Sequence, residues 1–310
     1  MPFSLFKCSF LSRLMTNYIG ELAALSAAFL WAVSSTIYTY LGQSIPPLLL
    51  NLFKGIAALF YLVITLLLLQ QPVVWDNNPA IFLLLISGVI GIGIGDTAYF
   101  NALNSIGARR TLLLETLAPP IGAVLAQVFL GETLKPTAWG GIFLTILGVA
   151  WVISERAGVN TNIESPQGWG GVYWALFAAF CQATGAVLSR HALLLSGLSS
   201  LWSTLLRIAA AMVAIFILLL FNPPRERGGA IVPSWRLFGI IVASAFISTY
   251  LGIWLQQTSL QYSPVGIAQT LLATSPLFVL PIVAFLGDKI TPRAIVGVII
   301  ALGGIFLLFQ

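Results

Sequence analysis

Ten apolar windows fill most of this 310-residue chain. Each is close to the roughly 20 residues that a helix rising 1.5 Å per residue needs to cross a hydrocarbon layer about 30 Å thick. They fall near residues 19–41, 47–70, 80–103, 111–130 and 137–154, then near 170–189, 200–221, 236–258, 266–286 and 293–309. Hydrophobic residues make up 59% of the chain and charged residues 7%, against roughly 25% charged in soluble domains. No water-facing surface can be assembled from that composition, so the expected fold is all-α and integral to a lipid bilayer, with ten transmembrane helices. Trp75, Trp139, Trp169, Trp202 and Trp235 sit near predicted span ends, where an indole suits the headgroup layer.

The formal net charge is +5, but the 14 Lys and Arg are scattered singly or in pairs. With no basic run or face to follow a phosphate backbone, nucleic acid is not an expected partner. Cys8 and Cys181 lie in the N-terminal tail and inside an apolar span, which leaves no disulfide framework and no CxxC pair. His191, the single histidine, lies at a predicted helix end without companion ligands, so neither a metal nor a cofactor is expected. Residues 1–14 lack a long apolar core and a small-residue cleavage site, arguing against a cleaved signal peptide and leaving Met15 as an alternative start.

The second five windows repeat the first. ALSAAF at Ala24–Phe29 reappears as ALFAAF at Ala175–Phe180, and LFKGIAA at Leu52–Ala58 as LLRIAAA at Leu205–Ala211, which puts Lys54 and Arg207 in register. Pro120 with FLGETLKP (Phe129–Pro136) matches Pro276 with FLGDKITP (Phe285–Pro292), and Gly141 with Gly148 matches Gly297 with Gly304. An odd number of spans per repeat makes the second half enter the bilayer from the opposite side. The expectation is two inverted five-helix repeats around a central cavity, the pattern of carriers that work by alternating access. The predicted parts are an N-terminal tail at 1–17, a first repeat at 18–154, a polar linker at 155–168 and a second repeat at 169–310.

Together these blocks resemble the EamA-type transporters of the drug/metabolite transporter superfamily, over about residues 18–309. The resemblance rests on AAFLWAVSS (Ala27–Ser35), the cation in spans two and seven, and the Pro-then-LGE-x-L-x-P endings of spans four and nine. It implies a cavity lined by spans of both halves and the export or uptake of amino acids, other metabolites or drug-like solutes. Two departures stand out: Gln182 replaces the equivalent of Trp31, and Arg109 and Arg110 occupy a connection that is usually uncharged.

Only Lys54, Asp96, Glu115 and Arg207 place an ionisable group well inside the predicted spans. Such groups are costly in hydrocarbon and face a cavity or a partner. Lys54 and Arg207 could bind anionic groups or pair with the carboxylates. Asp96 and Glu115 are the proton-coupling candidates, Asp96 being the deeper of the two, because a carboxyl balanced between burial and a nearby cation can load and release a proton. The alternative for Asp96 is a permanently ionised partner of a cation. Further cavity candidates are Trp31, Ser34, Tyr38, Asn51, Tyr99, Asn101, Gln182, Thr184, Tyr250, Gln257 and Gln269, some of which are expected to bond between helices instead. Pro119, Pro120, Pro276 and Pro281 are candidates to break spans four and nine at matching places, and the glycines of GVIGIGIG (Gly88–Gly95) to let helices approach closely.

Gly93–Asp96 also spells GxGD, as in membrane aspartyl proteases, but that chemistry needs a second carboxylate to share a proton. The other aspartates, Asp76 and Asp288, fall in predicted loops, so no enzyme is expected. A channel or receptor is the remaining alternative. With the N-terminus inside, the lysines and arginines lie mostly outside, against the positive-inside rule. The family resemblance places both termini in the cytoplasm, and that orientation in a plasma (inner) membrane is the one taken. The expected partners are a small-molecule substrate, the bilayer and H+ as coupling ion, with the chain a monomer or weak dimer.

Overall fold

The computed structural model describes residues 18–41, 45–72, 78–155, 169–221, 235–285 and 291–310, and within these it is all helical. The first half holds α1 (Ile19–Leu41), α2 (Pro47–Leu68), α3 (Asn78–Ala102), α4 (Thr111–Leu130) and α5 (Pro136–Glu155). The second holds α6 (Trp169–Leu195), α7 (Ser200–Phe221), α8 (Trp235–Tyr262), α9 (Val265–Leu272 and Ser275–Phe285) and α10 (Pro292–Leu308). Among the described residues, eight helices are long and apolar enough to cross a membrane, and apolar helix is found also over Ile19–Ser34 in α1 and over α10.

The polarity of the molecule is that of a bilayer protein. Phe60, Leu67, Phe216, Phe221 and Phe306 are largely exposed on the outer belt, whereas Asn51, Thr145, Ser203, Arg207 and Gln257 are buried. Trp169 and Trp235, at the starts of α6 and α8, are 78% and 85% exposed, as headgroup anchors require.

The connection from α3 to α4 is very tight. Helical backbone covers Gly95–Glu115, yet Leu114 packs against the cluster of Ala102, Ile106 and Ala175, and Glu115 lines the same cavity as Asp96. The 19 residues between those carboxylates would span about 28 Å in a straight helix. The chain therefore turns back on itself between Ile106 and Leu114.

Pairing across the halves follows the repeat: α5 packs on α10, α2 on α7 and α4 on α9, while α3 packs on α6 as α8 does on α1. Glycine permits the closest of these approaches. A Cβ at Gly141 would stand 2.8 Å from the Gly304 carbonyl oxygen, and one at Gly148 would stand 2.6 Å from that of Gly297. One at Gly185 on α6 would stand 2.9 Å from the Gly91 Cα on α3. All four matched glycines thus face the partner repeat. Tyr18 and Phe309 meet with ring centroids 5.3 Å apart, and Lys135 Nζ donates to the Gln310 carbonyl at 3.0 Å. The face where α1 begins, here the proximal face, therefore also carries the end of α10.

Two local departures recur in both halves. α3 and α8 each contain one turn of π-helix at mid-span, Val89–Ile94 and Phe246–Leu251. α4 and α9 are both broken before their midpoints, after Glu115 and after Leu272. At each break a threonine hydroxyl takes up a carbonyl: Thr116 donates to Leu113 and Thr274 to Leu271, both at 2.6 Å.

α6 ends at Leu195, six residues beyond the window read from sequence. The polar run Ser189–Arg190–His191 reads as a membrane exit in the sequence, but in the fold Ser189 and Arg190 are bonded to neighbouring helices and the span continues past them.

Candidate functional site

Between the halves lies a cavity of 390 Å³, lined from α1, α2, α3, α4 and α5 on one side and from α6, α7, α8 and α9 on the other. That volume suits a small organic solute. The charged residues foreseen in the spans, Lys54, Asp96, Glu115 and Arg207, all meet there, with Trp31, Ser34, Asn51, Tyr99, Gln182, Gln269, Pro119 and Pro276.

Asp96 sits just past the π segment of α3. Its carboxylate accepts from Asn51 Nδ2 of α2 at 3.4 Å and from Gln182 Nε2 of α6 at 3.5 Å. Lys54 and Arg207 both lie within its electrostatic range, so each half sends one cation towards the same carboxylate. Glu115 is also within range of Asp96, and its Oε1 is buried without a hydrogen-bond partner.

The repeated irregularities shape the walls. A π turn disturbs the regular i→i−4 ladder and changes which carbonyls are available: Trp31 Nε1 donates to the Ser248 carbonyl at 3.0 Å, and Thr97 Oγ1 to the Gly93 carbonyl at 2.6 Å. Trp31 to Phe removes the first of these bonds and is expected to cost about 1 kcal/mol, read as a fall of a few degrees in the melting temperature of the purified protein. In the broken helices, Pro119 and Pro120 fall in the first turn after the break of α4 and Pro276 in the first turn after that of α9. A missing N–H costs least at that position. Pro281 lies inside the second part of α9 and is exposed on the outer surface.

Other residues singled out from the sequence sit elsewhere. Tyr250 bonds Thr65 across 2.7 Å, between α8 and α2. Gln257 Oε1 accepts from Ser189 and from Ser203, the latter at 2.8 Å, joining α6, α7 and α8. The Thr184 hydroxyl is buried outside the lining, and Asn101 is exposed and donates to the Thr97 carbonyl at 3.0 Å. Pro120 is half-buried outside the lining. The side chain of Tyr38 lies outside the described residues.

Thr116, Ser248, Thr249, Gln256 and Ser275 line the cavity without having been expected to. Ser248 and Thr249 form a hydroxyl pair inside an apolar span, a signal available in the sequence. Gln256 and Gln257 are neighbours about 100° apart on one helix; Gln256 lines the cavity, whereas Gln257 is taken up by Ser189 and Ser203.

Towards the proximal face two polar clusters tie the helices together and form a candidate seal. The Ser189–Gln257–Ser203 cluster comes first. Then the Glu132 carboxylate accepts from Arg190 Nε at 2.8 Å and from the Val265 N–H at 2.9 Å, and Arg190 Nη1 donates to the carbonyls of Leu260 and Gln261 at 2.8 and 2.7 Å. Gly131, in the left-handed region at φ +68°, ends α4 and turns Glu132 into this position.

Comparison with known proteins agrees with this architecture. A curated protein described as an uncharacterized transporter of Archaeoglobus fulgidus is 25% identical over 288 residues, covering 93% of this chain and 96% of its own. A solved structure, titled only as the crystal structure of a protein, superposes with a TM-score of 0.77 at 17% identity, covering 94% of this chain and 96% of that one, and shows the shared fold. The EamA-like transporter family matches residues 18–154 and again 169–310. With both halves matched, this chain belongs to the EamA-like transporter family, and it is a transporter rather than an enzyme.

Proposed function

We propose that the chain is a secondary transporter that carries small polar solutes by alternating access, with the cavity between its halves as the substrate site. The observation that carries this reading is the pair of broken helices, α4 and α9, whose interruptions at matching places both border that cavity. Discontinuous helices at a repeat interface are the construction of carrier sites, and they provide hinges about which one half can rock on the other. A channel needs no such matched interruptions. Lys54, Arg207, Asp96 and Glu115 then serve the solute and its coupling ion, with Trp31, Ser34, Asn51, Tyr99, Gln182 and Gln269 forming an amphipathic wall.

Metabolite profiling of cells with and without the protein identifies solutes to try, and flux into proteoliposomes tests the mechanism. Saturable flux that speeds up with substrate on the far side is the expected result. Flux rising linearly with concentration and indifferent to the far side would replace the carrier by a pore.

Asp96 is assigned the coupling proton, because it alone among the cavity carboxylates is held by amides of both halves. Asp96→Asn is expected to abolish the response of flux to a pH gradient while leaving exchange of substrate for substrate. An unchanged pH response removes the proton role.

The proximal face, with both chain ends, is assigned to the cytoplasm of a plasma-membrane protein that functions as a monomer or weak dimer. A cysteine replacing Ser234, in the connection between α7 and α8, is then expected to react with an impermeant maleimide in intact cells. Labelling only after lysis reverses the orientation.

A further inference from the structure

We propose that Arg207 is the receptor for an oxyanion group, carboxylate or phosphate, on the transported solute; this rests on the carrier reading above and names its substrate class. Arg207 comes from the middle of α7 and is 2% exposed, and both its Nε and Nη1 lack a hydrogen-bond partner. It borders the cavity, at the edge of the space a solute would fill. A buried guanidinium with idle donors is a costly arrangement, and an anion brought to it relieves that cost.

The surrounding backbone is shaped to hold this side chain. A Cβ on Gly88 would run into the Arg207 carbonyl, and one on Gly91 would stand 3.2 Å from Arg207 Nη2. The guanidinium therefore lies against the π turn of α3, where glycine leaves it room. Aspartate does not fill the vacancy in its hydrogen bonding: Asp96 lies within electrostatic range, yet Arg207 Nε and Nη1 bond to no group among the described residues.

Lys54, in register on α2, reaches the same cavity from the other half and adds a second positive charge facing Asp96. The planar guanidinium supplies directional N–H donors that match the oxygens of a carboxylate or a phosphate, and the ammonium supplies a point charge. Trp31 of α1, in the same lining, offers an apolar surface for the remainder of the solute.

The test uses the full chain in lipid nanodiscs and reads equilibrium binding, which does not depend on flux. The probes are benzoate, phenyl phosphate and their uncharged counterparts benzamide and phenol, with acetate and inorganic phosphate as minimal anions. At least one oxyanion is expected to bind saturably and at least tenfold more tightly than its uncharged counterpart. Benzoate and phenyl phosphate separate carboxylate from phosphate preference. Arg207→Gln is expected to erase the difference and Arg207→Lys to keep part of it.

Equal binding of charged and uncharged probes, no binding of any oxyanion, or an undiminished preference in Arg207→Gln overturns the proposal. Should Arg207→Gln fail to fold, the wild-type comparison and the weakened preference of Arg207→Lys decide in its place. Anion binding without countertransport in proteoliposomes would leave this site standing and remove the carrier reading instead.

Discussion

Gly148→Leu is expected to yield no folded protein, whereas Gly140→Leu, two turns away on the same helix, is expected to be tolerated. Gly148 faces α10 so closely that a Cβ would overlap the backbone nitrogen of Ala301 and stand 2.6 Å from the carbonyl oxygen of Gly297. Both obstacles are main chain, which no rotamer change moves aside. A Cβ at Gly140 meets nothing within 4 Å. Even Gly148→Ala must force α5 and α10 apart, at a cost of about 3 kcal/mol by the measure of overpacked cores. The loss is amplified because this pairing joins the two repeats, and in a bilayer close van der Waals contact is the main force holding helices together. Gly304→Ala, whose Cβ would meet the backbone of Thr145, is expected to behave like Gly148→Ala. Monodispersity on size exclusion and melting temperature in detergent are the measurements. Normal behaviour of Gly148→Leu would mean that α5 and α10 do not pack through these glycines.

These glycines were legible in the sequence because they repeat at matching places with helical spacing, and the positions of nine spans could be read for a similar reason. Twenty apolar residues between polar connections leave a chain few alternatives in a bilayer. The tenth boundary, the end of α6, could not be placed that way. Arg190 looks like an interfacial residue until Glu132, 58 positions earlier, supplies its counter-charge.

The site was legible to the extent that burying charge in hydrocarbon demands a reason. Lys54, Asp96, Glu115 and Arg207 come from four helices, and all border one cavity. Side-chain direction was not legible for neutral residues. Tyr250 and Gln257 lie in the same span as Ser248 and Gln256, and a turn of π-helix at Phe246–Leu251 advances the helical phase in a way that periodicity alone does not encode. The breaks in α4 and α9 could be foreseen from prolines, because a missing N–H has a fixed local consequence.

Arg190→Ala is expected to loosen the proximal seal, lowering the melting temperature by several degrees. It is also expected to expose a cysteine placed at Ser203 to reagents added from the proximal face. Arg190 and Glu132 are only partly shielded, with side chains 11% and 14% exposed, but they tie together the end of α4, the end of α6 and the junction of α8 with α9. Removing the arginine strands a carboxylate and two carbonyls, at a cost of about 3 kcal/mol. Exchanging the charges, Glu132→Arg with Arg190→Glu, is not expected to restore the seal. An arginine at 132 cannot accept from the Val265 N–H, and a glutamate at 190 cannot donate to Leu260 and Gln261. Glu132→Gln keeps an acceptor for Val265 and should fall between wild type and Arg190→Ala. In a carrier that alternates, these bonds must break for the cavity to open towards the proximal face. Arg190→Ala should therefore shift the resting population in that direction, and the Ser203 cysteine reports it. An unaltered melting temperature together with an unreactive cysteine would place the barrier elsewhere, in the Ser189–Gln257–Ser203 cluster, where Gln257→Leu is the variant that then should open it.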